Sequence, residues 1–181
     1  MKSIVSNNLA DGVDFKADKL EFCDACVKGK QCREPFNGTR PVSSRPLERI
    51  HSDVCGPIEP TAWDGSKYFV SFIDDHTHFA MLFLMKRKSE VFARFREYEA
   101  LVTAKFNLKI SKLTIDQGRE YLSNIQKQFY SQKGIQIEPT VAYTPQQNGV
   151  AERFNRTIVE KVRTMLIDSH VPKALWPEAV L

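Results

Sequence analysis

The sequence lacks any run approaching the ~20 apolar residues needed to cross a bilayer, its longest apolar stretches being broken by Asp74, Asp75 and Lys86. Its first residues, Met1-Lys2-Ser3-Ile4-Val5-Ser6-Asn7-Asn8, contain no apolar core of signal-peptide length. A soluble, intracellular chain with no secretory signal and no membrane partner is expected. Glycine and proline are sparse, 8 and 9 in 181 residues, which excludes collagen-like and low-complexity sequence. A hydrophobic fraction of 42% excludes a chain too polar to build a core. Charge of one sign is also missing: 26 Lys+Arg against 22 Asp+Glu leaves +4, a balance compatible with a nucleic-acid partner but common among ordinary domains. The only four cysteines, Cys23, Cys26, Cys32 and Cys55, sit in the first third, and in a reducing compartment they read as thiols or metal ligands rather than disulfides. The length suits one compact domain of ~100–150 residues with a short appendage.

The pattern along the chain divides it into three parts. Residues 1–47 are a polar lead-in, a CxxC, and a stretch from Pro35 to Pro46 whose proline, glycine and serine break helix and sheet alike, giving a linker that ends near Leu47. Residues 48–171 are patterned. Strands are expected over 49–55, ended by Gly56-Pro57, over 68–74 and over 78–85, the last two forming a hairpin. From Ser89 to Phe106 the apolar residues Val91, Phe92, Phe95, Tyr98, Leu101, Val102 and Phe106 recur at helical spacing. A strand over 110–116, a helix over about 123–133 stopped by Gly134, a strand over 135–138, a polar loop and a helix over about 149–169 complete the series. The last helix carries Val150, Phe154, Ile158, Val162, Met165 and Leu166 on its expected apolar face. Residues 172–181 read as the opening turns of a further helix, with Pro177 near its first position, cut short as in a piece of a longer polyprotein. The order is three meandering strands, then alternating helices and strands, which specifies an α/β fold with a mixed sheet.

Three carboxylates fall at informative places on this map: Asp53 in the first strand, Asp116 at the end of the fourth, and Glu152 in the first turn of the last long helix. If the first and fourth strands are neighbours, Asp53 and Asp116 come together, and the helix can lay Glu152 across them. Three carboxylates in one cleft repel unless they share a cation, and hard oxygen donors select Mg²⁺ or Mn²⁺. Two such ions ~4 Å apart clamp the attacking and leaving oxygens of a phosphoryl displacement. The plainer reading is that acids at such spacings arise by chance and solvate a surface.

The strings around these acids add to that reading. His51-Ser52-Asp53-Val54-Cys55-Gly56-Pro57, Phe72-Ile73-Asp74-Asp75, Ile115-Asp116-Gln117-Gly118-Arg119-Glu120-Tyr121 and the run from Tyr143-Thr144-Pro145-Gln146-Gln147-Asn148-Gly149 through Glu152-Arg153-Phe154-Asn155-Arg156-Thr157 closely resemble the integrase core of copia-type long-terminal-repeat retrotransposons. The resemblance covers about residues 21–181. It implies a ribonuclease H-like fold and a metal-binding triad, here Asp53, Asp116 and Glu152, holding two Mg²⁺ or Mn²⁺ ions. The implied activity is 3′-end processing of element DNA and joining of the ends to target DNA, in the nucleus or a cytoplasmic particle, by a homo-oligomer. The alternative in the same family is a catalytically inactive nucleic-acid-binding fragment of the polyprotein.

The sequence departs from the family in places. Gln117 stands where Asn is more usual, and His76-Thr77-His78 follow the acidic pair in place of an aromatic, a serine and an arginine. Asp74 and Asp75 themselves read as a turn cap. Cys23 and Cys26 resemble half of the family's zinc-binding segment, but no histidine precedes His51, and a CxxC supplies two of the four ligands that zinc needs. Even with Cys32 as a third ligand, thiols without metal are expected. Arg153, Arg156, Lys161 and Arg163 read equally as a phosphate-tracking face or a solvated helix exterior. Gln146, Gln147 and Asn148 read equally as DNA contacts or simple turn residues. The aromatics Phe69, Phe72, Phe79, Phe83, Phe92 and Phe95 are assigned to the core.

Overall fold

The computed structural model describes residues 42–115, 121–139 and 149–181. Backbone contacts divide the chain after Gly38, and all the described residues belong to the second unit, Thr39–Leu181. Its strands are β1 (Arg49–Cys55), β2 (Tyr68–Asp74), β3 (Ala80–Met85), β4 (Lys112–Ile115) and β5 (Gln136–Pro139). Its helices are α1 (Val91–Phe106), α2 (Asn124–Lys133), α3 (Gly149–Asp168) and the short α4 (Trp176–Val180).

The five strands form one sheet in the order β3-β2-β1-β4-β5. β1, β2 and β3 are an antiparallel meander, while β4 lies parallel to β1 and β5 parallel to β4. This is the ribonuclease H-like arrangement that the family resemblance implied, and β1 and β4 are neighbours, the condition on which bringing Asp53 and Asp116 together depended.

Alternation along the strands sorts side chains to two faces. Ile50, Val54, Val70, Phe72, Phe83 and Met85 point to one, where they meet Val91, Phe95, Tyr98 and Val102 of α1 and Tyr130 of α2. Phe72 stacks on Tyr98 at 4.9 Å between centroids and meets Phe83 and Phe95 edge-on or tilted at 5.8 and 5.6 Å. Each such pair adds roughly 0.5–1.5 kcal/mol to the burial of its rings. Cys55, Phe69, Leu82 and Leu84 point the other way, against Ile158, Val159, Val162 and Leu166 of α3 and Trp176 and Val180 of α4. The sheet is therefore sandwiched between two helical layers, and Asp53, in phase with Cys55, belongs to the α3 face.

Local chemistry sets several of the boundaries. Gly56 ends β1 at φ +128°, where a Cβ would lie 2.6 Å from the Lys67 carbonyl oxygen, so no side chain fits. Ser123 caps α2 by accepting from the Gln126 amide, Gln126 Oε1 accepts in turn from the Ser123 amide, and Gly134 closes the helix at φ +72°. β3 starts at Ala80 rather than at His78, because His78 takes a left-handed conformation (φ 57°) and donates its amide to the Asp74 carbonyl to close the turn. Leu101 and Met165, expected in apolar stripes, are 49% and 46% exposed.

Residues 43–47, which read as the end of a linker, are fixed on the sheet. Leu47 is fully buried and its amide donates to Asp74 Oδ1 at 2.9 Å. Ser43 donates both its amide and its hydroxyl to Asp75 Oδ2, each at 2.8 Å. Asp74 Oδ2 also caps the β2–β3 turn, accepting from the amide and hydroxyl of Thr77, while His51 Nε2 lies 3.1 Å from Asp75 Oδ1. Both aspartates are fully buried, so these bonds replace the water their carboxylates have lost.

Candidate active site

Asp53 sits near the C-terminal end of β1 on the face covered by α3. Its strand neighbours are β2, where Ser71 is its register partner, and β4, where Ser52 pairs with Ile115. One residue beyond that pair the sequence continues to Asp53 on β1 and to Asp116 after β4, but Asp116 lies outside the described residues. Glu152 is exposed in the first turn of α3, where the helix dipole favours a carboxylate.

The contact that joins the two elements comes from a residue the sequence reading passed over. Asn155 Nδ2 donates to Asp53 Oδ2 at 2.9 Å. Asn155 stands three residues after Glu152, hence on the same side of the helix. It is only 5% exposed, and its Oδ1 finds no hydrogen-bond partner in the structure. The signal that could have found it is a polar residue inside the helical repeat at a position the sheet must cover. The buried positions of α3 are Gly149, Ala151, Asn155 and Val162, whereas the expected stripe through Val150 and Phe154 is only half-buried.

The basic residues separate along the helix. Arg153 and Arg156 are exposed within one turn of Glu152. Arg163 lies eleven residues beyond Glu152, about 16 Å along the helix axis, where it lines a cavity of about 660 Å³ together with Phe69, Val162, Leu166 and Trp176. Cys23, Cys26, Gln146, Gln147 and Asn148 lie outside the described residues.

Electrostatics argue against Cys55 as a nucleophile beside Asp53. Burial, and then the charge of Asp53, push the Cys55 thiol up to about 11, so it stays protonated and poorly nucleophilic at neutral pH. Among the described residues no three His, Cys, Asp or Glu side chains form a group able to hold a metal ion. The candidate donors that are described, the carboxylates of Asp53 and Glu152, are hard oxygens of the kind that suits Mg²⁺ or Mn²⁺.

The family described as integrase core domain matches residues 43–145, more than half of the chain, and the chain belongs to that family. Its sequence is of the kind carried by the Pol polyproteins of plant copia-type transposons. It is 44% identical over 165 residues to the retrovirus-related Pol polyprotein from transposon TNT 1-94 of Nicotiana tabacum, covering 91% of this chain and 12% of that protein. The corresponding polyprotein from transposon RE2 of Arabidopsis thaliana is 35% identical over 180 residues, covering 99% of this chain and 12% of that protein. The chain thus spans about 12% of the length of the curated relatives it matches. Among solved structures, one chain of a simian T-cell lymphotropic virus intasome in complex with PP2A regulatory subunit B56 gamma superposes with a TM-score of 0.64 at 17% identity. That match covers 87% of this chain and 55% of the other, and the likeness concerns the fold. Among the described residues no helix is long and apolar enough to cross a membrane.

Proposed function

We propose that this chain carries the catalytic centre for metal-dependent DNA strand transfer: processing of element 3′ ends and their joining to target DNA. The observation that carries the reading is the Asn155–Asp53 hydrogen bond, because it holds the first turns of α3, and with them Glu152, against the carboxylate-bearing end of β1. β4, the parallel neighbour of β1, leads directly into Asp116.

In this reading Asp53, Asp116 and Glu152 would hold two divalent cations. When bound, these would lower the pKa of the attacking water or 3′-hydroxyl and offset charge gathering at phosphorus. The protein's own part is positional. β1 fixes Asp53, the start of α3 presents Glu152, and Arg153 and Arg156 offer guanidinium groups for backbone phosphates on either side of it. Gln146, Gln147 and Asn148 precede this helix in sequence and would reach the same DNA. Binding through phosphate is sequence-blind and weakens with salt. Joining two DNA ends calls for more than one protomer, so a homo-oligomer on DNA is the working form.

The test is strand transfer by the 181-residue chain on a matched element end, with and without Mg²⁺ or Mn²⁺. Cation-dependent product is expected, with a loss of at least about 100-fold in Asp116→Asn and in Glu152→Gln, the scale of removing one group that stabilises transition-state charge. DNA binding without product at any cation concentration would identify the chain instead as an inactive nucleic-acid-binding fragment.

A further inference from the structure

Tryptophan has more apolar surface to gain from burial than most side chains, yet Trp63 is 66% exposed. The second tryptophan, Trp176, is buried in the core beneath α3. Trp63 stands in the loop 56–67 that joins β1 to β2, and this loop is built rather than slack. The Trp63 amide donates to the Ala174 carbonyl at 3.1 Å, the Gly65 amide to the Ala62 carbonyl at 2.9 Å, and the Ile58 amide to the Lys67 carbonyl at 2.8 Å. The backbone is fixed while the ring is held out to solvent.

Cations gather beside it. Lys67 ends the loop, Lys86, Arg87 and Lys88 follow β3, and all of them are exposed. A Cβ on Gly65 would lie 3.6 Å from Lys86 Nζ, which places that amine over the loop two residues from Trp63. Lys86, Arg87 and Lys88 come just before α1, at the end of the helix dipole that favours acids, so helix stability does not account for them. Of the acids nearby, Asp64 accepts from the Ser66 amide and hydroxyl, and Glu90 from the Lys86 and Arg87 amides. Set against Lys67, Lys86, Arg87 and Lys88, these two acids leave the patch positive. Strand register fixes its position. Ser71 pairs with both Asp53 and Leu82, and Tyr68 pairs with Met85. Lys67 and Lys86 therefore lie at the Asp53 end of the sheet, about 13 Å along the strands from the row of Asp53. That is roughly four base-pair steps of DNA.

We propose that loop 56–67 and residues 86–88 form a further DNA contact, in which Lys67, Lys86 and Arg87 hold phosphates and the Trp63 ring stacks on an unpaired base. The occupant is DNA with a frayed or single-stranded end, because bases inside a duplex are already stacked on one another. Cations alone would accept any polyanion, and the exposed ring is what selects a nucleic acid. This rests on the strand-transfer reading and deepens it, adding a grip on a base to the contacts with phosphate.

The test uses the whole 181-residue chain in EDTA at low salt, so that no step depends on a divalent cation. A fluorescein-labelled thymidine oligonucleotide is titrated by anisotropy, and tryptophan emission is followed with the unlabelled strand. Quenching of the wild-type emission is expected. Trp63→Leu should bind the single strand about 5–100-fold more weakly, and Trp63→Phe, which keeps a ring, should fall between the two. A blunt duplex should lose less than about twofold in Trp63→Leu, since it presents no unpaired base. Lys86→Ala and Arg87→Ala should each reduce the slope of log affinity against log salt by about 0.7 for the single strand. Single-strand affinity unchanged in Trp63→Leu, or an equal loss on the duplex, would overturn the proposal and leave strand transfer standing. So would wild-type emission that the oligonucleotide does not quench, whether or not a variant folds. Polyglutamate that quenches and competes as well as the oligonucleotide would also overturn it, marking the patch as a site for an acidic protein. A wild type that binds neither DNA would count against the strand-transfer reading as well.

Discussion

Two acidic regions lie on this one sheet, and their carboxylates are treated in opposite ways. At the end of β2, Asp74 and Asp75 are fully buried and take hydrogen bonds from the amides of Ser43, Leu47 and Thr77, the hydroxyls of Ser43 and Thr77, and the His51 ring. Near the end of β1 and the start of α3, Asp53 is only half-buried and Glu152 faces solvent, with the Asn155 side-chain amide bonding across to Asp53. By sequence the doubled Asp74-Asp75 is the more conspicuous acidic feature. The contrast teaches that carboxylates taking bonds from backbone amides across the sheet fasten a chain segment, whereas Asp53 and Glu152 hold no such segment in place among the described bonds. Charge count alone does not tell them apart.

That contrast can be broken experimentally, first where the expected change in stability is largest. Replacing Asp74 with Ala strands the Leu47 amide in the core and removes the cap of the β2–β3 turn, so a loss of about 3 kcal/mol or more is expected in urea denaturation. A loss below ~1 kcal/mol would mean that segment 43–47 is held by other contacts.

An intermediate case is Glu138 on β5, which bridges Arg49 on β1 and Lys112 on β4, each at 3.1 Å. Partial burial would raise its pKa, but the hydrogen bond from Lys112 and the charges of Arg49 and Lys112 outweigh this and hold it below its ordinary 4.5. A depressed carboxyl pKa stabilises the fold above the unfolded value, and that contribution disappears as the pH falls through the folded one. Glu138→Gln should therefore cost up to ~1 kcal/mol at pH 7, with the gap from wild type closing below about pH 4. A gap that stays constant across that range would show the loss to be one of packing.

The smallest effect is expected at the other pole of the comparison. Glu152→Gln should leave stability within about 0.5 kcal/mol of wild type in EDTA, since an exposed side chain off the core is being changed. A clear destabilisation there would erase the distinction between the two acidic regions.

Much of the architecture was legible from pattern. β1 and β2 have the expected bounds because alternating or β-branched runs stop at Gly56-Pro57 and at Asp74-Asp75, and α2 is bracketed by a capping box and Gly134. Segment 43–47 was not legible as part of the core, because its prolines and serines carry only local information while its fixing bonds reach residues about thirty positions away. The α3 face was misread for a related reason. Positions 150, 154, 158 and 162 and positions 151, 155, 158 and 162 are both acceptable helical repeats, and apolar character favours the first. The sheet covers the second, so a buried asparagine escaped notice.

The sequence by itself determined the order of elements, the family, and which acids stand at strand and helix ends, because these follow from periodicity, turn residues and motif strings within short windows. Only the tertiary structure decided that β4 lies beside β1, that Asp74 and Asp75 are consumed in holding residues 43–47, and that Asn155 reaches Asp53. Those outcomes depend on pairings between residues up to 102 positions apart. The free energy of such pairings is set by burial and hydrogen-bond geometry that no local stretch of chain contains.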